Sequence, residues 1–270
     1  MSTDARKVLI TGATSGLGRE LALRLAAQGW SVLAHGRDQG RLDDLRREAG
    51  AAVRPLVADL ASLKDVTKLA DLTTAATDRL DVLVNNAGVG FGPPGQRRQS
   101  SADGHELRMA VNYLAPVLLT RRLIPLLTAS APARVVNVGS IGQVPFDPAD
   151  FAFERGYDGT TAYRRSKLAL CAFTFDLADE LPASAVTVNC LHPASLMPTA
   201  MVREARTAPI SNLDEGVTAT LRLITDPGLA GVTGEYFNGS RPDRALPEAY
   251  DPGFRAKLRA TTAELLADYI

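Results

Sequence analysis

A chain of 270 residues, 46% of them hydrophobic, can bury a sizeable core, and strand-helix folds of this length commonly form one domain, the expectation here for residues 1–270. Lys and Arg number 30 and Asp and Glu number 30, which excludes an overall field drawing the chain to nucleic acid or an anionic membrane; any anion must be held locally. Cys171 and Cys190 are too few for a disulfide framework or a cysteine-based zinc site, and their apolar surroundings read as buried in a reducing compartment.

The N-terminal MSTDARKVLI passes from polar residues into a short apolar run, without the long apolar segment of a signal peptide or membrane span, so a cytoplasmic protein without a membrane partner is expected. The first strand, 7–11, leads into Thr11-Gly12-Ala13-Thr14-Ser15-Gly16-Leu17-Gly18 and a helix over 17–28. Gly12 permits a tight turn, Gly16 lets the backbone approach a pyrophosphate, Gly18 allows close helix-strand packing, and the helix N-terminus offers unpaired N–H groups. The spacing is Gly-x3-Gly-x-Gly, and a glycine-rich turn without a ligand is the competing account.

The second strand, 31–35, ends in His35-Gly36-Arg37-Asp38, where a dinucleotide fold inspects the adenosine ribose. An acidic residue there favours NAD; here Gly36 clears space and Arg37 can fork onto a 2′-phosphate, so NADP is the expected cofactor. Asp38 on the ribose, with Arg37 merely solvated, remains open, and His35 reads as an ordinary strand residue. A helix over 41–48, a strand over 53–57 and a helix over 63–77 follow.

The fourth strand, 82–85, runs into Asn85-Asn86-Ala87-Gly88, small residues that leave room for an adenine ring or simply make a turn. The next helix, 107–127, contains Pro116 and Pro125, each lacking a backbone donor, so a kink or early end is expected. Asn112 lies in its apolar part and must find a partner, since an unpaired buried amide costs about 1–3 kcal/mol.

A fifth strand, 134–139, places Ser140 at its carboxyl end, where an open sheet holds its ligand, although serine there is also common turn chemistry. In the helix over 161–181, Tyr163 and Lys167 are four apart and share a face, so the lysine can stabilise a phenolate and lower the tyrosine pKa; a surface pair is the bland alternative. A sixth strand at 186–191, a last strand and turn at 234–239 and a helix over 252–270 complete the chain.

The alternation of strand and helix predicts an α/β fold: a doubly wound, Rossmann-type parallel sheet with helices on both faces and ligands beyond the carboxyl ends of the strands. Three stretches interrupt it, 89–104, 141–160 and 193–213, and are candidate walls of a substrate pocket. Phe91, Pro93, Pro94, Val144, Phe146, Met197 and Met201 lie in these stretches and favour an apolar ligand, although such residues are also ordinary loop packing.

Together these residues resemble the short-chain dehydrogenase/reductase family over nearly the whole chain, and 154–159 with the segment around Tyr163 resembles its retinol dehydrogenase-like branch. The resemblance implies an NADP(H)-dependent oxidoreductase that interconverts a carbonyl, ketone or aldehyde, and an alcohol without a metal. Tyr163 would exchange the alcohol proton and Ser140 orient the reacting oxygen, while Lys167 binds the nicotinamide ribose and Asn112 holds a water leading to a proton relay. Gly12, Thr14, Ser15, Gly16, Leu17, Gly18, Asp59, Leu60, Asn86, Ala87, Gly88, Pro193 and Thr199 would join Arg37, Tyr163 and Lys167 around the cofactor.

The sequence departs from the family in having Pro193-Ala194 where Pro-Gly is usual, Thr199 one place late, and Gly139-Ser140 where two serines are frequent. The family also implies a homodimer or homotetramer through the helices at 107–127 and 161–181, while covering the sheet is the other account of their apolar stripes. A non-catalytic NADP-binding sensor is the alternative, argued against by the intact set of Asn112, Ser140, Tyr163 and Lys167. A sugar-nucleotide epimerase or dehydratase would need more chain after the sixth strand than is present.

Overall fold

The computed structural model describes residues 5–183 and 185–270. Eight strands form one sheet in the order β3-β2-β1-β4-β5-β6-β7-β8. The first seven, β1 (Lys7–Ile10), β2 (Ser31–Gly36), β3 (Val53–Val57), β4 (Val82–Asn85), β5 (Ala133–Val138), β6 (Val186–His192) and β7 (Tyr236–Asn238), run parallel; β8 (Arg241–Asp243) returns antiparallel. The sheet is the doubly wound Rossmann type, and the sequence reading missed only its last, exposed strand.

Central strands β4 and β6 are buried along their whole length; β4 accordingly opens with the unbroken apolar run Val82–Val84, whereas β6 carries buried polar residues, of which Asn189 donates to the Val232 carbonyl and His192 meets Ser195 Oγ. Successive residues still face opposite ways. Leu9, Leu33, Leu83 and Val135 join a core with α3 (Leu63–Ala76), α5 (Ala115–Ala129) and α6 (Gly159–Glu180), while Val8, Val32, Val84 and Val136 join one with α1 (Gly16–Ala27), α2 (Gln39–Ala49) and α8 (Leu213–Thr225). Because β4 lies beside β1 rather than β3, the turns leaving these two strands diverge and open a crevice between them.

The chain enters α5 through a short helical turn, α4 (Leu107–Met109), and a π turn over Ala110–Leu114. Pro116 has no N–H to offer the Asn112 carbonyl four residues earlier, and the ladder widens there instead of ending. The helix continues through Pro125 to Ala129, so the expected early end does not occur. The stretch Leu107–Ala129 is long and apolar enough to cross a membrane, yet 72% of its most apolar window is buried within the fold.

Two further helices were not expected: α7 (Ala200–Glu204) lies inside the stretch 193–213 taken as a loop, and α8 follows it, where no element was assigned. The start of α8 carries a capping box, with Asn212 accepting from the N–H of Glu215 at 2.8 Å, a pattern that was readable. The last helix, α9 (Pro252–Leu265), stops short of the expected residue 270.

Candidate active site

The glycine-rich turn lies at the crevice between β1 and β4. Gly12 and Gly16 have φ of 68° and 51°, conformations open to glycine. The Thr11 hydroxyl accepts from the N–H groups of Asn86 and Ala87 at 2.9 and 3.0 Å, and Asn86 Nδ2 donates to the Thr11 carbonyl at 2.8 Å. A Cβ on Gly18 would stand 2.3 Å from the Gly12 oxygen and 2.5 Å from Asn86 Nδ2, so this glycine serves the close approach of turn and helix. Ser15 begins α1 without capping it, and the first turn carries no acidic residue, leaving a positive helix end for an anion.

His35 is not the ordinary strand residue expected. It is 2% exposed, its Nδ1 accepts from the Gly12 N–H at 3.2 Å, and its Nε2 lies 3.1 Å from the Ala58 carbonyl. This fixes the neutral tautomer with hydrogen on Nε2, and burial lowers its pKa to about 4. A polar residue among the apolar ones of β2 was the available signal.

Gly36 clears space for Thr14: a Cβ there would come 2.4 Å from the Thr14 methyl. Arg37 is exposed at the strand end, and Asp38 accepts from the Arg41 N–H at 3.1 Å as the cap of α2. Asp59 is half-buried and accepts from the Ala61 N–H at 3.0 Å, while Leu60 and Leu17 are buried.

Tyr163 and Lys167 sit one turn apart on α6, facing the end of β5. Lys167, 3% exposed, donates to the Val138 carbonyl at 2.7 Å, and burial lowers its pKa to about 8. The Tyr163 pKa is raised by burial, with a hydrogen-bonding contact to Ser140 acting the other way. The expected lowering by Lys167 is therefore corrected: loss of solvation dominates the phenol. Ser140 is buried, and its hydroxyl accepts from the Gly142 N–H at 3.0 Å. A Cβ on Gly139 would come 2.5 Å from Cys190 Sγ, so the dithiol of Cys171 and Cys190, with sulfurs 3.5 Å apart, occupies the room a larger residue would need.

The partner of Asn112 is the turn after β4. Its Oδ1 accepts from the Val89 N–H at 2.7 Å, and its Nδ2 donates to the Val89 carbonyl and to Ser166 Oγ, both at 3.0 Å. Gly88 lies next to this contact: a Cβ there would be 3.3 Å from Asn112 Oδ1 and 3.8 Å from Lys167 Nζ.

The later loops divide. Thr199 meets the phosphate turn, its methyl 3.1 Å from where a Gly16 Cβ would lie, and Met201 reaches over Gly88 and Gly90. Phe91 meets the Tyr163 ring edge-on with centroids 5.3 Å apart. Met197 and the buried Pro193 instead contact Gly216 of α8, and Phe146 packs edge-on against Phe254 of α9, so Met197 and Phe146 serve packing away from Tyr163. The sequence reading also missed Glu106 and Arg108, both fully buried; a charged pair heading an apolar helix was the signal.

An open parallel sheet with a glycine turn on a helix N-terminus at its switch point, and a half-buried tyrosine one turn before a buried lysine beside a strand-end serine, defines a nicotinamide-dinucleotide oxidoreductase. Residues 6–209 match the short chain dehydrogenase family model. The chain is 36% identical to human (Homo sapiens) retinol dehydrogenase 14, covering 94% of this chain and 84% of that protein. It is also similar to 3-ketoacyl-(acyl-carrier-protein) reductase of Brucella melitensis complexed with NADH, at 25% identity and TM-score 0.72, covering 88% and 97% of the two chains. The NADP active-site complex of Pseudomonas aeruginosa RhlG gives 28% identity and TM-score 0.71, covering 88% and 95%. The chain belongs to the short chain dehydrogenase family and is an NAD(P)(H)-dependent oxidoreductase acting on a carbonyl or alcohol.

Proposed function

We propose that Tyr163 exchanges the proton of the reacting oxygen while Ser140 holds that oxygen. The supporting observation is that the half-buried Tyr163, the buried Lys167 and the strand-end Ser140 converge beyond the carboxyl end of β5. Bound NAD(P)H supplies the hydride in the direction of reduction. In that direction Tyr163 delivers its proton to the carbonyl oxygen as the alcohol forms, and its phenolate is stabilised by the nearby ammonium of Lys167 and the Ser140 hydroxyl. Lys167 also binds the nicotinamide ribose, and the Asn112 carbonyl, which has no α-helical donor because of Pro116, holds the water that returns a proton.

The residues present fit a dinucleotide. Gly12, Thr14, Ser15, Gly16, Leu17 and Gly18 would hold its phosphates, Asp59, Leu60, Asn86, Ala87 and Gly88 its adenosine half, and Pro193 and Thr199 its nicotinamide end. Arg37 confers a preference for NADP, because it is exposed at the end of β2 while Asp38 is engaged as a helix cap. A single-domain, cytoplasmic homo-oligomer of the retinol dehydrogenase-like branch is our reading, with a hydrophobic ketone or aldehyde as substrate. The similarity to retinol dehydrogenase 14 and the apolar Phe91 and Met201 support it.

Titration of NADPH and NADH into wild type and Arg37→Ala, followed by turnover of a carbonyl panel, tests this reading. Tight NADPH binding weakened about tenfold by Arg37→Ala, with NADH unaffected, is expected from the loss of a charge-assisted contact. Preference for NADH, or turnover confined to small charged carbonyls, would overturn the corresponding assignment.

A further inference from the structure

Glu106 and Arg108, both fully buried, and the half-buried Tyr157 form a cluster that the proposed reaction does not use. The Arg108 guanidinium donates from Nε to the Gly90 carbonyl at 2.9 Å and from Nη2 to Gln96 Oε1 at 3.0 Å. From Nη1 it reaches the Tyr157 hydroxyl at 2.7 Å and Glu106 Oε1 at 3.3 Å. Tyr157 in turn donates to Glu106 Oε1 at 2.9 Å, and Glu106 Oε2 accepts from the N–H groups of Arg108 and Met109 at 2.8 and 2.9 Å. Three segments thus meet on one guanidinium: the chain after β4, the head of α4 and the approach to α6.

Burying such charges costs desolvation that their attraction only roughly offsets, so stability alone is a weak reason for the cluster. Its geometry gives another. Phe91 follows directly on Gly90, the residue held by Arg108, and its ring meets Tyr163 at 90°. A Cβ on Gly159, the first residue of α6, would lie 2.4 Å from the Phe91 carbonyl and 3.4 Å from Arg108 Nη2, so loop and helix start are in close register around the guanidinium.

We propose that Arg108, with Glu106 and Tyr157, is a positioning cluster: it holds Phe91 against Tyr163, and so sets both the shielding of the phenol from water and the width of the substituent admitted beside it. This inference rests on Tyr163 being the proton donor.

The test compares Tyr157→Phe, which removes one hydroxyl, Arg108→Lys, which keeps the charge but not the four-way fork, Phe91→Ala and the Tyr157→Phe/Phe91→Ala double variant. NADPH affinity is expected to stay within about twofold in all four, while kcat for a bulky carbonyl changes about tenfold relative to a small one, in the same direction for Tyr157→Phe, Arg108→Lys and Phe91→Ala. The double variant should be no further from wild type than the worse single, because both act through one ring. Phenolate difference spectra, taken for each chain against its Tyr163→Phe counterpart, should show the Tyr163 midpoint falling as water enters; this readout needs no turnover. Wild-type substrate preference and a wild-type Tyr163 midpoint in Tyr157→Phe, with only a lower Tm, would overturn the proposal. Absence of turnover in every chain would instead count against the proton-donor reading, leaving the spectra to decide the cluster. If Arg108→Lys does not fold, Tyr157→Phe carries the same decision.

Discussion

Lys167 aims its ammonium at the Val138 carbonyl, 2.7 Å away, while the centroid of the Tyr163 ring stands 5.7 Å from the same nitrogen. The cation is tied to the strand that carries Ser140 rather than to the phenol. Tyr163, with its pKa raised by burial, is protonated at neutral pH and ready to donate, and Lys167 is the group that titrates near physiological conditions.

Reduction needs a protonated Tyr163 and a charged Lys167. Both hold below pH about 8, and rising pH then removes the lysine charge. The expected profile of kcat/KM for reduction, which reports free-enzyme groups, is flat around neutrality with an alkaline fall centred near 8. Lys167→Arg should be slower but lack that fall, since a guanidinium keeps its proton. A wild-type profile level well into the alkaline range would contradict the assignment.

Tyr163→Phe removes one oxygen from a ring already packed by Phe91. A loss of about 100- to 10,000-fold in kcat is expected, with NADPH affinity within about twofold, because proton transfer is lost and the cofactor cradle is not. Ser140→Ala should fall in the same direction. Equal turnover in Tyr163→Phe and wild type would assign the proton to another group.

Acid should destabilise the protein through His35. Its folded pKa of about 4 lies below the ordinary value of 6.5, so the unfolded chain takes up the proton first. The stability is fully present above 6.5 and is lost between there and about 4, a term on the order of 3 kcal/mol. His192, also lowered to about 4 by burial and by Lys167, adds a term of the same sign. Urea midpoints measured across this window should drop less steeply in His35→Gln than in wild type; identical slopes would mean that His35 does not carry the term.

Gly36→Ala tests the seat of the phosphate turn. The new methyl would meet the Thr14 methyl at 2.4 Å, so Thr14 must move. Dinucleotide affinity should weaken about tenfold and stability should fall by about 1–3 kcal/mol, as for overpacking elsewhere. Calorimetric titration measures the first and thermal unfolding the second; unchanged affinity would show that Thr14 moves without disturbing the turn.

Sheet and phosphate turn were legible because their signals are local. Apolar runs such as 82–85 and glycines directly after a strand carry their meaning within a few residues. The roles of His35 and Arg108 were not, since each depends on partners distant in the chain: His35 on Ala58, and Arg108 on Gly90 and Tyr157. The Tyr163 pKa was misjudged for a related reason. Spacing shows that Lys167 is near, but only packing shows that burial outweighs it. The helix at 213–225 was missed although Asn212 and Glu215 announce it, an oversight of pattern rather than of physics.

Asn112 grips Val89 by both its N–H and its carbonyl. The residue is thereby a fixed point from which the following chain departs, much as a nailed board end fixes where the free length begins. Insertions or deletions in the exposed Pro93–Gly95 turn should reshape the rim of the pocket while leaving the depth and orientation of the Lys167 site untouched. Kinship between such chains would then predict their shared chemistry far better than their choice of substrate.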